Sequence, residues 1–323
     1  MRIVAAIFVV AIHTLPFAQI NPRAEVIFTR TIARVGVPFF FMIIGFFVLR
    51  NQKRDFSKIS RYLFKILFLY LVATFIYIPI IIYSKGYPTT DVVRESLKMF
   101  FFDGTFYHLW YFPAAIIGLI IVTPLVNIIR GFALLIVTIL YIFGLLGDSY
   151  YFISHSSPFL SNIYNCLFRI FDYTRNGIFF APMYIYLGSL ISLNRRGNRT
   201  VGYAFVLFAL SSILMILESL YIHSHFELRH DSMYIFLPFV VFSLFEILKQ
   251  FSGKRSYLSK DVSMLTYIIH PFFIVLVRFF VKFFPQYSYI VERNYMLFIV
   301  VAITSLIFSY IYALIKNSRR RYA

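Results

Sequence analysis

The sequence predicts an all-α membrane protein, a bundle of about ten transmembrane helices with both termini in the cytoplasm. The composition is the first reason, because 60% of the 323 residues are hydrophobic and only 14% are charged. Soluble domains are about half apolar and about a quarter charged. The second reason is that apolar runs recur along the whole chain, and the third is that basic residues concentrate in alternate connecting segments. We therefore expect a multi-pass protein of the plasma membrane, with the lipid bilayer as its environment.

Ten segments are apolar over nearly the length that a bilayer requires of a helix, about 20 residues. They are residues 3–20, 33–49, 62–84, 107–128, 131–147, 176–193, 201–222, 233–248, 263–283 and 294–315. The first carries no small-residue cleavage site, so we interpret it as an anchor and not as a removable signal. Residues 149–173 alternate between aromatic and polar, which indicates an interfacial or re-entrant segment. No inverted repeat or linker is evident, so residues 1–323 are predicted to form one domain.

The distribution of basic residues sets the orientation of these spans. With the N-terminus inside, 19 of the 31 lysines and arginines fall in segments predicted to be cytoplasmic, namely positions 2, 50–65, 130, 195–199, 249–260 and 316–321. This asymmetry follows the positive-inside rule. The net charge of +18 is therefore attributed to loops beside anionic lipid, and a nucleic-acid partner is not predicted.

Prolines interrupt the predicted spans unusually often. Eight of the twelve fall inside them: Pro16, Pro38, Pro79, Pro113, Pro124, Pro182, Pro238 and Pro271. An interior proline removes a backbone hydrogen bond and bends its helix. Bent helices are tolerated in lipid where they are buried in protein or line a cavity, so the pattern favours a cavity within the bundle.

The first span carries an ionisable pair, Arg2 and His13, eleven residues apart. Eleven residues are about three helical turns, which places both on one face with about 16 Å between them along the axis. Ionisable groups within a bilayer are costly and mark functional sites by default. We predict that the arginine holds a ligand at the membrane edge and that the histidine is the reactive group. A histidine bonded to a neighbouring carbonyl is the plainer interpretation.

A second candidate is the basic face at the entry to the third span. Lys58, Arg61 and Lys65 follow one another at three- and four-residue spacing, so they share a helical face. Such a face can bind phosphate groups. It can equally reflect lysine and arginine side chains extending to the interface.

A third group lies at the predicted outer ends of the spans. We predict that Asp172, Arg175, His230 and Asp231 bind a substrate there, together with His108. Exposed loops are normally polar, and the tyrosines near His108 can form an aromatic belt, so a plain surface is the competing interpretation. The chain has one cysteine and no His-x-x-x-His spacing, so neither a disulfide framework nor a metal cofactor is predicted.

The spacing from Arg2 to His13 resembles the Arg-x10-His signature of the membrane acyltransferase 3 family. Residues 38–47, 108–113 and 268–271 resemble further stretches of that family, in the same order along nearly the whole chain. The strings at 147–149, 174–180 and 230–238 resemble one branch, the membrane domains of glycopeptide-resistance serine racemases. Two positions depart from the family pattern: Ile44 replaces a frequent serine, and Lys58-Ile-Ser-Arg61 stands where a pair of arginines is common.

The resemblance implies an acyltransferase that takes an acyl group, usually acetyl, from cytoplasmic acyl-CoA. The acceptor would be an outer hydroxyl or amine, for instance on a cell-envelope glycan. Arg2 would hold the donor with Lys58, Arg61 and Lys65 on its phosphates, and His13 would act as general base or transient acyl carrier. Asp172, Arg175, His230 and Asp231 would face the acceptor.

Two other functions stay open. The racemase-like branch implies a module that takes up serine or another small amino acid for a cytoplasmic racemase. In that case Asp172 and Arg175 would pair with the ammonium and carboxylate groups, and His13 would relay protons. The third is a scaffold whose polar residues only pack. The basic face at residues 58–65 distinguishes the first two, because only an acyltransferase needs contacts for CoA phosphates.

Overall fold

The computed structural model describes residues 1–49, 56–85, 91–127, 129, 131–193, 201–251 and 257–322. Every regular element in these ranges is a helix, which confirms the all-α fold class. Some basic residues used for the topology prediction lie outside the described residues, at positions 50, 53, 54, 130, 195, 196, 199, 254 and 255.

The helices follow the apolar runs of the sequence. In chain order they are α1 Arg2–Thr14, α2 Pro22–Phe28, α3 Gly36–Val48, α4 Phe56–Lys85, α5 Val92–Lys98, α6 Tyr111–Asn127, α7 Ala133–Leu146, α8 Tyr151–Ser156, α9 Pro158–Leu167, α10 Ala181–Leu193, α11 Val201–His225, α12 Leu237–Gln250, α13 Tyr257–Phe283, α14 Tyr289–Glu292 and α15 Asn294–Tyr322. A 3-10 turn covers Ile32–Val35 and a π-helical turn covers Met99–Asp103. The segment predicted to be interfacial contains α8 and α9.

Several of these helical stretches are long and apolar enough to cross a membrane. Among the described residues they are Pro22–Val48, Phe56–Tyr83, Gly202–His225, Leu258–Phe283 and Asn294–Ser318. Shorter apolar helices add α1, α6, α7 and α10. Each of the ten predicted spans overlaps a helix, and the protein is a multi-pass membrane protein. The count of ten and the cytoplasmic position of the termini stay predictions.

The chain forms two compact units. We call Met1–Phe40 with Phe251–Ala323 the terminal unit, and Phe41–Gln250 the central unit. The prediction of one domain over residues 1–323 stays a prediction.

In the terminal unit, α1 packs against α13 and α15. The core of this contact consists of Val10, Ile274, Leu297, Val301 and Ala302. α1 ends earlier than the predicted span 3–20, because Leu15 takes the left-handed conformation at φ 50° and Pro16 follows it. A left-handed residue followed by proline is a common end to a helix, so His13 lies in the last turn of α1.

In the central unit, α10 packs against α6, α7 and α12. Two glycines permit close approach of α10 to the second half of α3. A Cβ atom on Gly45 would overlap the carbonyl oxygen of Ile185, and one on Gly188 would overlap that of Met42. Small residues at helix contacts are typical of membrane bundles, in which helices associate through close packing.

Five of the eight prolines do not interrupt a helix. Pro16 follows α1, and the other four, Pro38, Pro113, Pro182 and Pro238, lie within the first three residues of α3, α6, α10 and α12. The first turn tolerates proline because its N–H groups have no partner within the helix. These prolines therefore mark where helices begin or end, whereas Pro79, Pro124 and Pro271 lie inside theirs.

Candidate functional site

The terminal unit holds a pair of stacked histidines. The rings of His13 on α1 and His270 on α13 have centroids 5.3 Å apart and planes inclined by 23°. His270 is fully buried, and its Nδ1–H donates to the carbonyl oxygen of Tyr267 at 2.8 Å. Because a carbonyl oxygen can only accept, this bond fixes the tautomer of His270 with the proton on Nδ1.

Polar side chains continue along the contact between α13 and α15. Lys316 Nζ pairs with Asp261 Oδ1 at 2.9 Å, and Thr266 donates to the hydroxyl of Ser309 at 3.1 Å. Asp261, Thr266 and His270 lie on α13 in that order, so the polar contacts lead along the helix to the histidine pair. Hydrogen bonds of this kind hold membrane helices together and fix their register.

The residues predicted to bind the donor lie in both units. Arg2 is the first residue of α1, so it lies on the same continuous helix as His13. Lys58, Arg61 and Lys65 lie in the first turns of α4 in the central unit. Lys58 Nζ donates to the carbonyl oxygen of Phe47 at 2.6 Å, while Arg61 and Lys65 are exposed. Two of the three cations on this face are thus accessible.

In the central unit, two carboxylates hold the loop 226–236 between α11 and α12. Asp148 is fully buried, and its Oδ1 accepts from the backbone N–H groups of Ser232 at 2.7 Å and Met233 at 3.0 Å. Glu218 accepts from the N–H groups of Ile235 at 2.7 Å and Phe236 at 3.2 Å. Glu218 also accepts from the Tyr150 hydroxyl at 2.8 Å. Charge-assisted bonds are about twice as strong as neutral ones, so this loop is firmly placed.

Arg175 lies beside that loop against two aromatic rings. Its guanidinium carbon is 4.4 Å from the ring centroid of Tyr173 and 5.3 Å from that of Trp110. Its Nη1 donates to the hydroxyl of Ser232 at 3.3 Å. His230 also contacts Tyr173, with the two ring centroids 4.3 Å apart and the ring planes inclined by 44°. The structure thus brings together Arg175 and His230, which were predicted to act together.

Asp231 lies next to a different histidine, His223. The His223 Nε2 and Asp231 Oδ2 atoms are 3.7 Å apart, and His223 Nδ1–H donates to the carbonyl oxygen of Ser219 at 2.8 Å. This contact gains an ionic component when the ring is protonated. Sequence reasoning left His223 without a role, because nothing local indicates its position beside Asp231.

Asp172 belongs to a separate ionic group. Its Oδ1 pairs with Lys98 Nζ at 2.6 Å, and its backbone N–H donates to both oxygens of Asp103 at 3.0 and 2.9 Å. Burial raises the pKa of Asp103 to about 6, and the bond from the Asp172 N–H opposes that increase. The Asp172 carboxylate already has a cation partner, and its role in binding a substrate stays a prediction.

His108 is fully buried among aromatic rings. Its ring centroid lies 5.0 Å from Tyr77, 5.7 Å from Phe106 and 5.6 Å from Tyr107. These edge-on contacts fix the ring orientation. Its role in substrate binding also stays a prediction.

The sequence of the chain is similar to those of known proteins. A family model described as an acyltransferase domain matches residues 1–314. An amino-acid racemase from Enterococcus faecalis is 38% identical over 99% of this chain and 46% of its own length. A serine/alanine racemase from Enterococcus gallinarum is 33% identical over 98% of this chain and 46% of its own length. The chain thus spans about half the length of these relatives. No solved structure matches the chain.

Proposed function

The chain belongs to the acyltransferase 3 family, and on that premise we propose that it transfers an acyl group, typically acetyl, from cytoplasmic acyl-CoA to an outer hydroxyl or amine. The stacking of His13 on the fully buried His270 is the observation that carries this proposal. A titratable ring on a membrane helix, oriented by a second ring, is suited to proton transfer.

His13 acts as general base in this reaction. It accepts the proton of the acceptor hydroxyl or amine, while the acceptor atom bonds to the thioester carbonyl carbon. The carbon–sulfur bond breaks, and the proton passes from His13 to the departing thiolate of CoA. As a transient acyl carrier, the same ring would instead bond to the carbonyl carbon first as the carbon–sulfur bond breaks and the CoA thiolate leaves. The acceptor atom would then bond to that carbon as the bond to the ring breaks, and its proton would pass to the freed imidazole. In either case the ring of His270 restrains the orientation of the ring of His13.

Arg2 is proposed to hold the donor. It lies eleven residues before His13 on the same helix, about 16 Å away along the axis. That length is of the order that a pantetheine arm can span. In the central unit, the exposed Arg61 and Lys65 are proposed to contact the phosphates of CoA, since guanidinium and ammonium groups are the usual phosphate ligands.

Acetyl-CoA binding to the purified protein tests the donor site. We expect saturable binding that weakens about tenfold or more in Arg2→Ala and in the double variant Arg61→Ala/Lys65→Ala, because a hydrogen bond to a charged group is worth about 1.5–3 kcal/mol. Isothermal titration calorimetry in detergent measures it. Lys282→Ala is the matched control, since this lysine is also exposed and lies in the last turn of α13. Unchanged affinity in both test variants would contradict the proposed donor site.

A second function, binding of a small amino acid, is favoured by Arg175. Its guanidinium is set between Trp110 and Tyr173 and bonds to Ser232, a setting that suits a carboxylate. The named relatives are racemases, so a cytoplasmic racemase is the partner proposed under this function. Asp172 and Asp231 would then receive the ammonium group, and His13 would relay protons.

Trp110 makes the second function directly testable, because it is the single tryptophan of the chain. A carboxylate bound at Arg175 would change the environment of this indole. L-Serine is added in increasing amounts while Trp110 fluorescence is recorded. The test variant is Arg175→Lys, which keeps the positive charge and loses the planar guanidinium group that can bind a carboxylate through two hydrogen bonds. Saturable quenching that disappears in the variant, together with serine uptake by proteoliposomes, would favour amino-acid transport over acyl transfer.

A further inference from the structure

The central unit has a groove whose lining residues take no part in the reaction proposed above. Its volume is about 600 Å³, and it is lined by α5, the following π-helical turn and the segment after α9. The apolar part of the lining includes Val93, Leu97, Phe101 and Ile170. These side chains are 50–73% exposed, which is unfavourable in water but suitable against acyl chains.

The same groove carries three cations and one carboxylate. The cations are Arg94, Lys98 and Arg169, and the carboxylate is Asp91. Lys98 is already neutralised by Asp172 at 2.6 Å. Arg94 Nη2 donates to the backbone carbonyl oxygen of Arg169 at 3.0 Å, which places the Arg94 guanidinium beside the Arg169 main chain. Within the part of the chain that the structure describes, neither arginine forms an ion pair with a carboxylate.

We propose that this groove binds an anionic phospholipid, with its phosphate between Arg94 and Arg169 and its acyl chain on the apolar lining. Arg94 and Arg169 both line the groove, and a phosphate that lies between them can accept hydrogen bonds from both guanidinium groups. The apolar lining selects a phosphate attached to a hydrocarbon chain over a free phosphate, since burial of each methylene is worth about 0.8 kcal/mol. Charge and apolar surface therefore indicate the same ligand.

Lipid binding at this groove is independent of the reaction proposed above, so it is tested without an activity assay. Delipidated full-length protein is titrated with phosphatidylglycerol, and retention is measured by native mass spectrometry. We expect one tightly held lipid, and an affinity about ten- to thirtyfold lower in Arg94→Gln/Arg169→Gln, because each cation near the surface contributes about 1 kcal/mol. The variant Arg94→Lys/Arg169→Lys keeps both charges and should retain intermediate affinity.

The matched control is Arg278→Gln/Lys282→Gln, which removes the same charge from two exposed residues of α13 outside the groove. Thermal unfolding verifies that each variant is folded. Equal loss of lipid in the control and the test variant would overturn the proposal, because it would indicate attraction to surface charge in general. Displacement of the lipid by inorganic phosphate, or equal retention of uncharged diacylglycerol, would also overturn it.

Discussion

Replacement of His13 by alanine is expected to lower acyl transfer by about 10²–10⁴-fold, the contribution of a positioned general base. His13 lies in the last turn of α1, and its ring stacks on His270 at 5.3 Å. Alanine keeps the helix and removes the only group of α1 that can carry the proton between acceptor and thiolate. The measurement is incorporation of radiolabelled acetyl groups from acetyl-CoA into envelope material by vesicles that contain the protein.

Acetyl-CoA binding should survive in His13→Ala, because Arg2 and the basic face of α4 are unchanged. His155→Ala is the matched control, since this histidine is exposed on α8 and has no part in the proposed reaction. A His13→Ala variant with normal turnover would exclude this histidine as the base. The amino-acid transport function also uses His13, so the variant tests the site, and the acetyl-CoA and serine titrations distinguish the two functions.

Replacement of Asp148 by alanine is expected to destabilise the protein by about 3 kcal/mol or more. The fully buried carboxylate accepts two backbone N–H groups, from Ser232 and Met233, and each such bond to a charged acceptor is worth about 1.5–3 kcal/mol. Alanine leaves both donors buried without this acceptor. The loop 226–236 should then lose its position, and with it the contact of Ser232 with Arg175. Thermal unfolding in detergent measures the stability, and Trp110 fluorescence reports the change beside Arg175.

Asp148→Asn provides the conservative comparison, because an amide keeps one acceptor oxygen and nearly the same volume. We expect a smaller loss than for alanine. Glu292→Ala is the control for loss of a carboxylate, since Glu292 is exposed on α14. Surface changes of this kind usually lie within about 0.5 kcal/mol of zero. A wild-type midpoint in Asp148→Ala would show that the loop is held by other contacts.

Helix positions were largely predictable from the sequence, because a helix in a membrane needs an apolar run and satisfies its own backbone. The differences between the predicted and observed helix bounds have local causes. The predicted span 3–20 continued past Thr14 because the run stays apolar through Leu15 and Phe17, whereas the backbone turns at Leu15. The prolines at positions 113, 182 and 238 were interpreted as bends, although they stand in the first turns of α6, α10 and α12. Whether a proline marks the start of a helix or a bend inside it depends on which backbone N–H groups have hydrogen-bond partners, and the sequence does not show this.

The candidate site was only partly predictable. The spacing of Arg2 and His13 predicts that they lie on one face of a helix, because the helical repeat is fixed. His270 lies in residues 268–271, which resemble a stretch of the family, but nothing in the sequence places its ring on that of His13. No local pattern predicts that Asp148 and Glu218 are acceptors for the loop 226–236, because the donors are far away in the chain.

The sequence by itself determined the membrane class, the family, the helical segments and the register of Arg2 with His13. These depend on composition, apolar length and helical repeat, which are local properties of the chain. Only the tertiary structure decided that His13 meets His270, that Asp148 holds Ser232 and Met233, and that Lys98 neutralises Asp172. The physical reason is that the role of a charged or titratable group depends on its partners, and packing of distant helices chooses those partners.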